Sequence, residues 1–150
     1  MRSIEKRLQI SKVESHLLPQ VFKVERLCFT SPFPESYIRS LAESGSDSFL
    51  VAIEENKVVG YVSALAHGRD AHIASIAVLK EYRRRGIGRA LMSELIKLLK
   101  LRQFGTVSLE VRKNNTSAIR FYESLGFERV GGIPSYYENG EDAIAFSITL

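Results

Sequence analysis

The stretch from Ile76 to Leu98 constrains this chain most: an apolar run, an arginine-rich turn with two glycines, then an amphipathic segment. From Ile87 the period is helical, with Ile87, Leu91, Leu95 and Leu98 on one stripe and Arg89, Glu94, Lys97 and Lys100 mostly off it. A strand–turn–helix junction of this kind is an anion site, because the first N–H groups of the helix point outward with the dipole behind them. Gly86 and Gly88 lack Cβ atoms, so a phosphate can approach the backbone. The neighbouring guanidiniums can donate to phosphate oxygens in pairs. Spacing rejects two phosphate loops. A dinucleotide fingerprint needs Gly or Ala where Leu91 stands. A Walker loop needs four residues between its glycines and then Lys-Ser/Thr, and Gly86-Ile-Gly88-Arg-Ala has neither. The plainer reading is a solvated arginine turn with a glycine cap.

Charge sharpens the point. Residues 80–89 carry a net +4, equal to that of the whole 150-residue chain, so the remainder sums to zero. A nucleic-acid-binding face would spread its cations, whereas this cluster fits a small polyanionic ligand. The length predicts one domain over residues 1–150, and 45% hydrophobic with 25% charged residues predicts a globular fold. No apolar run reaches the ~20 residues of a membrane span. The start, Met1-Arg-Ser-Ile-Glu-Lys-Arg, lacks a secretory apolar stretch, and Cys28 alone makes no disulfide. The expectation is a cytoplasmic protein, monomer or homodimer, with no membrane or nucleic-acid partner.

Along the chain, residues 7–13 alternate as a strand, and a helix over 18–29 tolerates Pro19 in its first turn. Thr30 to Pro34 is a breaker before a short helix from Glu35 to about Ala42. Strand-like runs at 48–54 and 57–66 meet at Glu55-Asn56, a tight hairpin turn. His72 to Leu79, small or apolar almost throughout, predicts a strand covered on both faces. After the long helix, Thr106 to Arg112 puts Val107, Leu109 and Val111 on one face and Ser108 and Glu110 on the other. Asn114-Asn115 caps a helix to Leu125, and Gly126 stops it. Strands at 127–133 and 141–149 close the chain, joined by a loop with Pro134 and Tyr136-Tyr137. The order predicts an α+β fold of three layers around a mostly antiparallel sheet.

Arg83-Arg-Arg-Gly-Ile-Gly88 fits Q/R-x-x-G-x-G/A, and Asn115-x-x-Ala118-x-x-x-Tyr122-Glu-x-Leu-Gly-Phe127 follows it at a set distance. Together these resemble the GNAT N-acetyltransferases, over about two-thirds of the chain from Phe49 onward. Leu109-Glu-Val-Arg112, Phe121-Tyr-Glu-Ser-Leu-Gly-Phe127 and Tyr136-Tyr137 resemble the N-terminal (Nα) protein acetyltransferases most, including the ribosomal-protein alanine type. The resemblance outweighs the solvated-turn reading.

It implies a sheet of about seven strands with a splayed pair, about four helices, and acetyl-CoA as cosubstrate without a metal. It implies that the diphosphate sits across Arg83, Arg84, Arg85, Gly86, Ile87, Gly88, Arg89 and Ala90, and the pantetheine arm along Ile76, Ala77 and Val78. An N–H near Val78 is then the oxyanion donor. Asn115, Ala118 and Tyr122 share a helix face. Asn115 and Ala118 are implied to line the arm, and Tyr122 to protonate the departing thiolate. Glu110 is the implied base, and it shares that candidacy with Glu35, because Pro34-Glu-Ser-Tyr37 resembles Pro-Glu-Asn-Tyr of the major N-terminal acetyltransferase. Tyr136, Tyr137, Glu35 and, by position, Phe33 are implied to wall the peptide groove.

The expected reaction is acetyl transfer to free α-amino groups of proteins or peptides. Alternatives are a small-molecule amine or a lysine side chain as acceptor, or an acetyl-CoA-binding module without turnover. Tyr122 and Glu110 disfavour the last, since a binder needs neither. Cys28 has no neighbouring base in sequence and reads as packing. His67 and His72 lack a third metal ligand.

Overall fold

The computed structural model describes residues 8–150. Its elements are β1 (Leu8–Lys12), α1 (Leu18–Cys28), α2 (Glu35–Ser44), β2 (Phe49–Glu54), β3 (Lys57–His67), β4 (Asp70–Val78), α3 (Ile87–Leu101), β5 (Thr106–Arg112), α4 (Thr116–Ser124), β6 (Glu128–Ile133) and β7 (Ala143–Thr149). Short 3₁₀ turns occupy Ser15–Leu17, Ser46–Ser48 and Lys80–Tyr82. Arg7, expected to open the first strand, lies outside the described residues.

The seven strands of the described residues form one sheet in the order β1-β2-β3-β4-β5-β7-β6. Every pairing is antiparallel except β4 with β5. Glu55 and Asn56 adopt φ of 50° and 64°, and Glu54 faces Lys57, the two-residue turn that the right-handed strand twist favours. α1 and α3 cover opposite faces. Glu25 of α1 reaches Tyr61 and, through it, Ser75. A Cβ added to Gly88 of α3 would lie 3.9 Å from Val78 Cγ2, on the other face.

The core is largely apolar: Phe49, Val51, Val62, Leu91, Leu95, Leu99 and Phe146 are wholly buried. Each such side chain contributes roughly 1.5–3 kcal/mol relative to exposure. The helix stripe corrects the sequence reading at one place. Leu99, not Leu98, continues the buried row from Ile87 through Leu91 and Leu95, and Leu98 is half-buried. Three steps of four residues lead to position 99, and α3 runs on to Leu101, long enough to use it. β4 starts two residues earlier than expected, at Asp70. Every residue from Ala71 to Val78 is buried or half-buried, so the covered-strand expectation stands.

Candidate active site

The turn before α3 is held by its own arginines. Arg83 Nε donates to the Val78 carbonyl at 2.8 Å, fastening the turn to the end of β4. Arg85 stacks over Tyr82 and lies 3.7 Å from the buried Glu54 carboxylate. Arg89 Nη2 donates to Ser124 Oγ of α4 at 2.7 Å. Arg84 is exposed and holds φ of 64°, and Gly86 follows at 80°, where a side chain is strained. The first helical bond runs from Ala90 N–H to the Gly86 carbonyl, and no side chain caps the helix. The amides of Ile87, Gly88 and Arg89 therefore have no partner within the helix. The anion capacity of this turn rests on these amides more than on the guanidiniums, three of which are engaged. Gly88 has a separate reason to be glycine. A Cβ there would meet the Phe121 ring at 3.4 Å, so its absence lets α4 lie close to α3.

Between β4 and β5 the sheet opens. Their pairing is limited to Asp70 with Thr106, Ala71 with Val107 and His72 with Ser108. Beyond it, the antiparallel ladder with β3 decides where the β4 backbone points. Leu79 N–H donates to the Val59 carbonyl at 2.8 Å, so Leu79 and Val59 are a hydrogen-bonded pair. By alternation Ala77 opposite Tyr61 is another, while Ile76 and Val78, opposite Val62 and Gly60, turn their N–H groups away from β3. Those two amides are aimed into the gap.

A bulge sets the other wall. The β3–β4 register passes from Ser63 with Ser75 to Ala64 with Ile73, leaving Ala74 unpaired. The extra residue shifts the alternation by one, and His72 joins the face of Ser75 and Ala77 instead of its opposite. That face continues onto Ser108 and Glu110 of β5. His72 Nε2 and Glu110 Oε1 are 2.7 Å apart, with side chains 30% and 18% exposed. Tyr136 Oη donates to the same oxygen at 3.2 Å. Burial and the adjacent Glu110 charge raise the Tyr136 phenol above its ordinary pKa. Tyr137 lies under the Arg112 guanidinium, 3.9 Å from ring centre, and Arg112 bonds Glu141 at 2.9 Å, so the loop before β7 is clamped to β5.

Tyr122 of α4 is buried with Phe121 and Phe127 packed edge-on against it. Burial, with a smaller contribution from Tyr137, pushes its phenol far above the usual value. Asn115 Oδ1 accepts the Ala118 amide at 3.1 Å and is the cap of α4. Glu35, exposed at the start of α2, pairs with Arg26 at 3.1 Å. Phe33 is 39% exposed and packs on Tyr37. Among the described residues no three His, Cys, Asp or Glu gather as a metal site, and no helix is long and apolar enough to cross a membrane.

The model of the Acetyltransferase (GNAT) family matches residues 18–127. The chain belongs to the GNAT acetyltransferases. It is an N-acetyltransferase. It is similar to the N-alpha-acetyltransferase of Saccharolobus solfataricus, 36% identical over 140 residues, 84% of this chain and 83% of that protein. The ribosomal protein bS18-alanine N-acetyltransferase of Escherichia coli is 32% identical over 146 residues, 94% of this chain and 97% of that protein. The crystal structure of Ard1 from Thermoplasma volcanium superposes with a TM-score of 0.91 at 28% identity, covering 95% of this chain and 97% of that one.

In this acetyltransferase the sequence-expected residues fall into two groups. Glu110 and Tyr136 meet directly, while Glu35 makes its ion pair with Arg26 instead. The contact of His72 with Glu110 is not legible in the sequence, because the unpaired Ala74 shifts the alternation that carries His72 to that face. Arg112 was missed as the clamp of the tyrosine loop, though its place two residues after Glu110 was a usable signal.

Proposed function

We propose that the enzyme moves the acetyl group of acetyl-CoA to the free α-amino group of protein or peptide N-termini, by direct attack in a ternary complex. The carrying observation is the Glu110 oxygen that receives both His72 and Tyr136 beside the β4–β5 gap. The names of the S. solfataricus and E. coli relatives support the α-amino acceptor class.

The residues fit acetyl-CoA on two counts: uncapped amides at the start of α3, and the Ile76 and Val78 N–H groups turned into the gap. The amides of Arg84 to Arg89 would hold the diphosphate. Ile76 and Val78, with Asn115 and Ala118 alongside, would hold the pantetheine arm. When bound, the cosubstrate would supply a thioester carbonyl, and the Val78 N–H, turned into the gap, would be the donor to its oxyanion.

Glu110, oriented by His72, takes the proton of the attacking amine, directly or through water. The demand is small, because an α-amino group of pKa ~8 is already about one-tenth neutral at pH 7. Tyr122 keeps its proton at neutral pH and presents it to the leaving sulfur. The same burial disfavours a bare thiolate, so the proton is driven onto the departing sulfur. Tyr136, Tyr137 and Phe33 form the acceptor walls, with Glu35 at their rim. We place the reaction in the cytoplasm, where ribosomal proteins such as the one named for the E. coli relative are made.

The test is acetylation of peptide pairs differing only in a free or blocked N-terminus, with the acetyl group located by mass spectrometry. Label on the free α-amine alone is the expected result. Label on internal lysines or free polyamines, or none at all, contradicts the proposal.

A further inference from the structure

Glu25 stands on the buried face of α1 and is 2% exposed. A carboxylate out of water costs several kcal/mol unless hydrogen bonds or a counter-charge compensate it. Among the described residues it makes no ion pair. Its compensation is two donors from different parts of the chain. Oε1 accepts the Tyr61 hydroxyl from β3, and Oε2 accepts the Phe33 amide at 2.8 Å from the loop between α1 and α2.

Tyr61 Oη is also 2.8 Å from Ser75 Oγ. A phenol has one proton, and the charged carboxylate is its stronger acceptor, so the Ser75 hydroxyl donates to the phenol oxygen. Burial and the Glu25 charge raise the Tyr61 pKa strongly, consistent with that assignment. The network thus ties the loop to β4, on the face that His72 shares below the bulge.

A leucine at position 25 would pack with less desolvation cost. What it lacks is an acceptor for Phe33 N–H, in a loop otherwise exposed from Phe29 to Pro34. Resting on the acceptor reading above, we infer that Glu25 is a positioning residue for substrate selection. It fixes the Phe33 backbone, and with it the wall against the first side chain of the acceptor peptide.

The experiment uses the full chain with two readouts. In the first, hydrogen exchange in the wild type is expected to show the Phe33 amide slowed about 100-fold or more, although its loop is exposed. Glu25→Leu is expected to lose that protection. In the second, peptides varied at their first residue are acetylated at fixed acetyl-CoA. Glu25→Leu is expected to raise peptide KM at least fivefold and to flatten the first-residue preference, with acetyl-CoA KM within twofold. Glu25→Gln, which can still accept the Phe33 amide through its carbonyl, is expected to keep most of the preference.

Free exchange at Phe33 in the wild type overturns the inference without any variant. So does a Glu25→Leu enzyme with the wild-type preference, or an acetyl-CoA KM rising in step with that for peptide. A wild type inert toward every peptide overturns the acceptor reading itself. An active wild type with an unchanged variant overturns only the role of Glu25.

Discussion

Glu110 Oε1 receives two donors, and its side chain is four-fifths buried, so the carboxylate is fixed where a solvated one would swing. Glu110→Gln is expected to lower kcat/KM by about 10- to 100-fold at pH 7. The loss should shrink as pH rises toward 8.5 and more of the amine is neutral. Glu35→Gln, which breaks an exposed ion pair with Arg26, should change kcat less than about threefold; pH–rate profiles of both variants decide the base. Tyr122→Phe is expected to lower kcat about 100-fold with acetyl-CoA KM within twofold, measured by steady-state kinetics. An unchanged kcat removes its role as acid. The facing of Glu110 was readable in the sequence, because Thr106 to Arg112 alternates without interruption. That of His72 was not, since an unpaired Ala74 leaves no mark in a run of small and apolar residues.

Elements carry the next level. α4 begins with an Asn115 cap, and the same side chain was assigned to the pantetheine arm. The two roles would use different atoms: Oδ1 accepts the Ala118 amide, and the side-chain amide would remain for the ligand. Asn115→Ala is expected to cost about 1 kcal/mol, a fall in Tm of about 2–4 °C, and to weaken acetyl-CoA binding. Asn115→Asp keeps the cap and should keep the Tm while still weakening binding; calorimetry of both variants separates the roles. Turns and helix starts were the most legible elements, because Glu55-Asn56, Gly86 and Asn115 act through local geometry. The ends of α2, α3 and β4 were less so, because they are set by packing across the sheet. Glu25 illustrates the same limit. It lies four residues after Val21 and three after Phe22, so helical spacing puts it in the core, but its two donors are distant in the chain.

At the scale of the whole molecule, the strands of the described residues form one sheet that opens where β4 leaves β5. Two phenols in its interior make stability pH-dependent. Tyr61 and Tyr122 both have pKa values raised by burial above the unfolded value of ~10. Above that pH the unfolded chain releases these protons first, so stability falls as pH rises, by up to about 1.4 kcal/mol per unit for each group. Urea unfolding should therefore show the protein about 2–3 kcal/mol less stable at pH 11 than at pH 9. Replacing either tyrosine by Phe should reduce that slope. The seam was foreseen only through the family resemblance, since no local pattern tells a strand to leave its neighbour after three pairs.

We propose that the β4–β5 opening and the start of α3 together aim a thioester at the Glu110 face. The decisive measurement is a crystal structure with coenzyme A and an acceptor peptide. The diphosphate is predicted on the amides of Arg84 to Arg89, the sulfur near Tyr122, and the peptide nitrogen within reach of Glu110. Coenzyme A bound elsewhere, or a peptide nitrogen on the far side of the sheet from His72, would contradict it.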